Sequence, residues 1–147
     1  MNNRDFKNFK IAKNISECSD FKQFHIGAVL VYKSDILSVG TNSIKTCPMQ
    51  KKYNRFRNFE ENKNVLHKRH AEINCLNKIP WYAYENDINF GKAKIYIWRS
   101  HKDGTKAMAR PCPACRQALI DNGIKNIFYT TENGYCYERI EDVRKIG

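Results

Sequence analysis

The chain has 147 residues, 41% apolar and 28% charged, with a formal net charge of +11. That length suits one globular domain over residues 1–147, long enough to bury most of the surface its unfolded chain exposes. No apolar run approaches the roughly 20 residues of a membrane-crossing helix, which excludes a membrane partner of that kind.

The excess of positive charge invites a polyanionic partner, but lysine and asparagine are plentiful throughout, so the distribution of charge counts for more than its sum. The opening Met1-Asn2-Asn3-Arg4-Asp5 lacks the apolar stretch of a secretory signal, and the expected address is cytoplasmic. Six cysteines fit that address. Cys112 and Cys115 form a tight C-x-x-C, while Cys18, Cys47, Cys75 and Cys136 are scattered and read as free thiols, with Cys75 the one expected to be buried.

From Asp5 to Ser19, Phe6, Phe9, Ile11 and Ile15 recur at helical spacing. Phe24–Tyr32 is a β-branched, apolar run, Lys33-Ser34-Asp35 turns it, and Ile36–Gly40 continues as a second strand, making an antiparallel hairpin. From Ser43 to Arg69 the periodicity fails, and the stretch reads as a long loop with at most a helical turn. A helix carrying His70 and Glu72 follows and stops before Pro80. Trp81 to Lys92 reads as a polar connection, and Ala93–Trp98 alternates as a third strand. Cys112 to about Asn122 is a helix with Gly123 as its C-cap. Asn126–Thr131 and Tyr135–Ile140 are strands four and five across an Asn133-Gly134 turn, too short for a parallel crossover, so these two must be antiparallel. The order α-β-β-α-β-α-β-β predicts an α/β fold: a mixed five-stranded sheet with helices on both faces.

Two short stretches carry the chemistry: His70-Ala71-Glu72 and Pro111-Cys112-Pro113-Ala114-Cys115. His70, Cys112 and Cys115 are an N/S set that Zn²⁺ takes tetrahedrally, with a fourth position left for water. The two thiols share one face at a helix start, where the positive end of the helix dipole favours the thiolate that zinc needs. A closed structural site using His67-x-x-His70, or a redox C-x-x-C, would use the same cysteines. Glu72 separates these readings. A closed zinc has no use for a neighbouring carboxylate, whereas a zinc-bound water that ionises near neutral pH needs a proton acceptor.

H-x-E…P-C-x-x-C is the signature of zinc-dependent nucleobase deaminases, and the chain resembles the cytidine deaminase superfamily in element order over most of its length. The resemblance implies that family's three-layer fold, hydrolytic deamination of cytosine to uracil, and Glu72 as proton shuttle. It also implies that Ala28 lies against the pyrimidine and that Asn42, in Val39-Gly40-Thr41-Asn42, contacts the sugar. The gap from Glu72 to Cys112 is longer than in compact nucleoside deaminases and leaves the loop ending at Arg110 unassigned. The hairpin at strands four and five resembles nucleoside deaminases and bacterial DNA-acting toxin deaminases, which favours cytosine over adenosine.

Between Lys45 and Arg69 lie Lys45, Lys51, Lys52, Arg55, Arg57, Lys63, Lys68 and Arg69 against Glu60 and Glu61, with Tyr53, Phe56 and Phe59 interleaved. Cations mixed with rings suit a single strand, pairing its phosphates and stacking its bases. Tyr53, Arg55 and Arg57 are therefore expected substrate contacts, and single-stranded DNA is the favoured substrate. A free cytidine nucleotide or nucleoside is the second reading, and a zinc-containing nucleic-acid-binding module without catalysis the third. The same loop is also compatible with an oligomer contact.

Overall fold

The computed structural model describes residues 1–56 and 68–141. Helix α1 (Asn3–Ser16) opens on a capping box: the Asn2 side chain accepts from the Asp5 N–H at 2.9 Å, and the Asp5 carboxylate accepts from the Asn2 N–H at 3.0 Å. Strands β1 (Phe24–Tyr32) and β2 (Asp35–Thr41) form the expected antiparallel hairpin. Its two-residue turn puts Lys33 at φ 57°.

The stretch expected to be a long loop is partly helical. Pro48 starts helix α2 (Pro48–Tyr53), where its missing N–H costs nothing, and a 3₁₀ turn over Asn54–Phe56 extends it. After α3 (Ala71–Asn77), the expected polar connection contains α4 (Trp81–Glu85) and a 3₁₀ turn at Phe90–Lys92. Then come β3 (Lys94–His101), β4 (Lys106–Ala107), α5 (Pro113–Asp121), β5 (Asn126–Thr130) and β6 (Tyr135–Arg139). The sheet therefore has six strands rather than five. The extra one, β4, is two residues long and shows no periodicity that a sequence could betray.

The sheet order is β2-β1-β3-β5-β6, with β4 on β3. Only β3 and β5 are parallel, and the β5–β6 pair is antiparallel as the short turn requires. Strand alternation divides the core in two. Val29, Val31, Tyr96, Trp98 and Phe128 point to one face and pack on Phe9 and Ala12 of α1. Ala28, Leu30, Ile95, Ile97, Ile127 and Tyr129 point to the other and pack on α3 and α5. Helices thus cover both faces, and the second face carries the candidate site.

Two glycines set the helix-to-sheet distances. A Cβ on Gly27 would lie 2.2 Å from the Ala12 carbonyl oxygen of α1, and one on Gly40 would lie 2.4 Å from the Cys75 nitrogen of α3. Both approaches are closed to any larger residue. Cys75, buried as expected, sits there with its thiol 3.2 Å from Ser38 Oγ. Among the described residues no helix is long and apolar enough to cross a membrane.

Candidate active site

The helices α3 and α5 bring their N-terminal ends together beneath one cavity. His70 and Cys112 are the N-caps of these helices rather than residues within them, so both side chains leave the backbone where it is still extended. Cys115 lies one turn into α5 and is fully buried. His70 Nδ1 stands 3.2 Å from Cys115 Sγ and 3.6 Å from Cys112 Sγ. The three ligand atoms all lie within 4.8 Å of one another. A tetrahedral zinc with ordinary Zn–N and Zn–S bonds sets such N···S edges at about 3.6 Å, so the set is spaced to hold that ion.

The electrostatics agree. A hydrogen bond from Cys115 pulls the Cys112 thiol down to about 4, against the effect of its burial and with His70 adding to the pull. Burial pushes Cys115 up, and the hydrogen bond to Cys112 adds to it. The opposite shifts come from one hydrogen bond shared by two soft donors, and a bound dication favours the thiolate in both. Glu72 is buried on the first turn of α3 and lines the same cavity. Burial raises its carboxyl above the ordinary range; His70 opposes the rise and Cys112 adds to it.

Helix α2 braces the two ligand helices. Gln50, fully buried, accepts the His70 N–H on Oε1 at 3.1 Å and donates from Nε2 to Asn54 Oδ1 at 2.8 Å. Asn77, at the end of α3, donates to Cys47 Sγ at 3.5 Å. Tyr53 donates its hydroxyl to Asp121, at the end of α5, at 2.9 Å.

The cavity, about 340 Å³, is lined by Glu72, His70 and Cys112 at its floor and by Ile26, Asn42 and Ala109 on its walls. Its mouth carries Lys68, Arg69, Arg99 and Arg110 together with Phe21, Phe24 and Met108. Arg99 lies 4.2 Å from the centre of the Phe24 ring, and Lys68 Nζ lies 5.4 Å from that of Phe21. The Nε atoms of Arg69 and Arg99 are buried without an acceptor among the described residues. Arg110 is held by Glu138 through two bonds of 3.0 Å.

His70, Glu72, Cys112 and Cys115 are thus brought together, and Asn42 stands on the cavity wall. Asn42 Oδ1 accepts from the Ile26 N–H at 3.0 Å and from Ser19 Oγ at 2.5 Å, and Nδ2 donates to the Phe24 carbonyl at 3.2 Å. The other expected contacts fall elsewhere. Ala28 is fully buried in the core, and Ile26, two residues along the same strand face, forms the wall in its place. Tyr53 is buried, its ring stacked on Phe56 at 6.2 Å and its hydroxyl on Asp121, so it serves α2's packing and has no free face for a base. Arg55 is exposed over the Phe56 ring and is not part of the cavity lining. Arg57 and His67 lie outside the described residues.

Sequence reasoning missed Arg99, Arg110, Phe24 and Gln50. Phe24 and Arg99 meet because β1 pairs with β3 in the register Ile26↔Arg99, which no local pattern reveals. Arg110 had a signal, its position two residues before Cys112.

The family model described as the cytidine and deoxycytidylate deaminase zinc-binding region matches residues 3–131. The chain belongs to that family. It is a zinc-dependent deaminase acting on cytosine, and its cofactor is Zn²⁺. Among solved structures it resembles the dCMP deaminase of cyanophage S-TIM5 in apo form, at 20% identity over 89% of this chain and 86% of that one, TM-score 0.57. The same enzyme in complex with dCMP and dUMP matches at 22% identity over 89% and 84%, TM-score 0.57. The cytidine deaminase of Burkholderia pseudomallei matches at 18% identity over 95% and 93%, TM-score 0.56. No curated protein matches the chain.

Proposed function

We propose that this deaminase converts cytosine to uracil within single-stranded nucleic acid, with His70, Cys112 and Cys115 holding the zinc and Glu72 moving the protons. Bound there, Zn²⁺ supplies a Lewis acid that lowers the pKa of water to near neutrality. The chain's own residues do the rest. Glu72 takes a proton from the attacking water and delivers it to the ring nitrogen next to C4. A second proton then passes through the same carboxyl to the exocyclic amine, which leaves as ammonia while the C4 oxygen remains. Water is consumed and uracil and ammonia are formed.

The observation that carries the substrate is the cavity mouth. Lys68, Arg69 and Arg99 supply charge, Arg110 adds a guanidinium already paired with Glu138, and Phe21 and Phe24 present rings beside them. A phosphate oxygen is an acceptor that guanidinium and ammonium groups bind through charge-assisted hydrogen bonds. Cations and rings side by side around one cavity support a strand. The second reading, a free cytidine nucleotide, is supported by a cavity of about 340 Å³, in the range of single small-molecule sites. It is also supported by the dCMP and dUMP bound by the S-TIM5 enzyme. The zinc-loaded protein assayed side by side on a single-cytosine oligonucleotide, dCMP and cytidine tests both. Turnover of the oligonucleotide is the expected result, and turnover of dCMP alone overturns the choice of substrate.

A further inference from the structure

Beside the N-terminal half of α1, on the sheet face which that helix covers, lie two adjoining hollows of about 460 Å³ and 160 Å³. Arg4, Asn8, Val31 and Lys33 line both. Lys7 lines only the first, and Lys92 and Lys94 only the second. The cations therefore run in an order: Lys7, then Arg4 with Lys33, then Lys92 with Lys94. Arg4 and Lys7 stand on neighbouring turns of one helix face, Lys33 in the β1–β2 turn, and Lys92 and Lys94 around the start of β3. None of these residues serves the cytosine site. Ile26 on the cavity wall and Val31 in the hollows are five positions apart on β1 and point to opposite faces of the sheet. That stretch of strand alone spans about 17 Å.

The charge gathered here is not neutralised locally. No carboxylate lines either hollow, and none of the five cations forms an ion pair among the described residues. Asp5, on which Lys94 acts through space, is buried and accepts the Tyr96 hydroxyl at 2.5 Å and the Asn2 N–H at 3.0 Å. Asp35 is exposed at the start of β2, past the Lys33-Ser34 turn. Arg4 also sits in the first turn of α1, the positive end of the helix dipole, where a cation is disfavoured. Like charges held together in such a place repel one another, and an anion laid across them relieves the repulsion. The neighbouring rings are already taken. Tyr96 is buried against Phe128 at 4.5 Å, Lys94 lies 5.8 Å over Phe128, and Lys33 lies 5.5 Å over Tyr32.

We propose that this face is a second nucleic-acid surface, which holds the phosphate backbone of a polynucleotide away from the cytosine site. One small anion occupies one hollow, whereas the cations run through both, which suits a polymer with phosphates at regular intervals. With no ring free to stack on a base, the contacts are to the backbone, and such contacts position a nucleic acid without reading its sequence. A duplex, whose phosphates are the more densely spaced, is therefore held as readily as a single strand. The cavity mouth differs in setting Phe21 and Phe24 beside its cations. The inference uses no residue of the cavity and goes beyond the substrate reading: it holds whether the target cytosine lies in a strand or in a free nucleotide.

The test uses the zinc-loaded full chain and a fluorescent duplex of A·T pairs, which offers the cytosine site no substrate. Binding is read by anisotropy over a range of salt concentrations. The wild type should bind, and Arg4→Gln, Lys7→Gln and Lys92→Gln combined should weaken binding at low salt by roughly tenfold or more. The slope of log affinity against log salt should flatten by roughly 2 to 3, at about 0.9 per phosphate contact on a duplex. All three side chains are exposed, so Tm should hold, and kcat on the cytosine substrate should not change because the zinc site is untouched. A control combining Lys51→Gln, Lys78→Gln and Lys102→Gln removes the same charge from exposed positions elsewhere and should bind nearly as the wild type does. Equal losses in the two triple variants would reduce the surface to net charge and overturn the proposal. So would a wild type that ignores the duplex, or one that instead binds phosphatidylserine vesicles through these residues. Oligonucleotide turnover in any of these cases leaves the substrate reading standing.

Discussion

Two basic stretches flank the zinc-ligand set, and up to Phe56 the first does the opposite of the second. Of Lys45–Arg69, the stretch that looks in sequence like a substrate-binding loop, Lys68 and Arg69 line the cavity, whereas the part up to Phe56, dense in lysine and rings, does not. In the structure the core of that part folds as α2, and its buried side chains, Gln50 and Tyr53, face inward to brace α3 and α5. Arg99–Arg110 looks like an ordinary connection. It is a strand edge and a two-residue strand, fastened by Thr130, whose Oγ1 accepts the Arg99 N–H at 3.1 Å and donates to the Ala107 carbonyl at 2.8 Å. That fastening places Arg99, Met108 and Arg110 around the cavity mouth. Density of charge marks a stretch that stays soluble. Attachment to a strand beside the site decides which charges reach the substrate.

The comparison presupposes a common centre that both stretches serve, and the largest effect should come from removing it. Glu72→Ala leaves brace and wall in place and should lower activity at least ~10²–10⁴-fold, the range for a general acid–base group. Zinc content measured on the purified variant should stay near one per chain. Loss of zinc would make Glu72 a ligand instead. Replacing Cys112 and Cys115 together should remove the zinc and lower Tm, since metal binding free energy is partly folding free energy.

Arg99→Ala and Gln50→Leu set wall against brace. Arg99 lines the cavity, and under the proposed function its loss should raise KM for an oligonucleotide roughly ten- to a hundredfold, the worth of a charge-assisted hydrogen bond, with Tm nearly unchanged. Gln50 meets only protein. Gln50→Leu removes the acceptor of the His70 N–H and the donor to Asn54 Oδ1 and should cost about 1–3 kcal/mol of stability. Its zinc affinity should weaken, and KM at full zinc loading should stay put. Tyr53→Phe is a milder form of the same experiment, costing about 1 kcal/mol for one hydrogen bond. A rise in KM for either brace variant at full zinc loading would erase the distinction.

The zinc residues were legible because they are local: two helix starts, each carrying its ligands within a few positions, with Glu72 beside them to favour an open zinc over a closed or redox site. The sheet was legible for a similar reason, since β1 is a β-branched, apolar run, β3 alternates, and the Asn133-Gly134 turn leaves only an antiparallel exit. What failed was tertiary. Tyr53 and Arg55 read alike as members of a basic aromatic run, and only packing against α5 separates a buried ring from an exposed cation. Ala28 was carried over from the family resemblance, yet two positions along one strand separate the core floor from the cavity wall at Ile26. Arg99 could not be found without knowing that the first strand pairs with the third.

The smallest effect concerns how the wall is tuned. The Arg110 guanidinium, through its hydrogen bonds, holds Glu138 below the ordinary carboxylate range, against a smaller opposing effect of burial. A carboxylate with a lowered folded-state pKa stabilises the fold above its unfolded value, near 4.3, and that contribution is lost as pH falls through the folded value. Glu138→Gln should therefore lower Tm slightly at pH 7 and not at all near pH 2, where the wild-type carboxyl is also neutral. Because the Arg110 side chain is 59% exposed, solvent screening limits the difference to about 0.5 kcal/mol, or one to two degrees in a chain of this size. The same variant frees a guanidinium that lines the cavity. If the pair serves mainly to hold that guanidinium in place, oligonucleotide KM should rise in Glu138→Gln even though a negative charge has been removed from a phosphate-binding surface. Simple charge counting predicts the opposite sign, so the direction of the change in KM decides between the two.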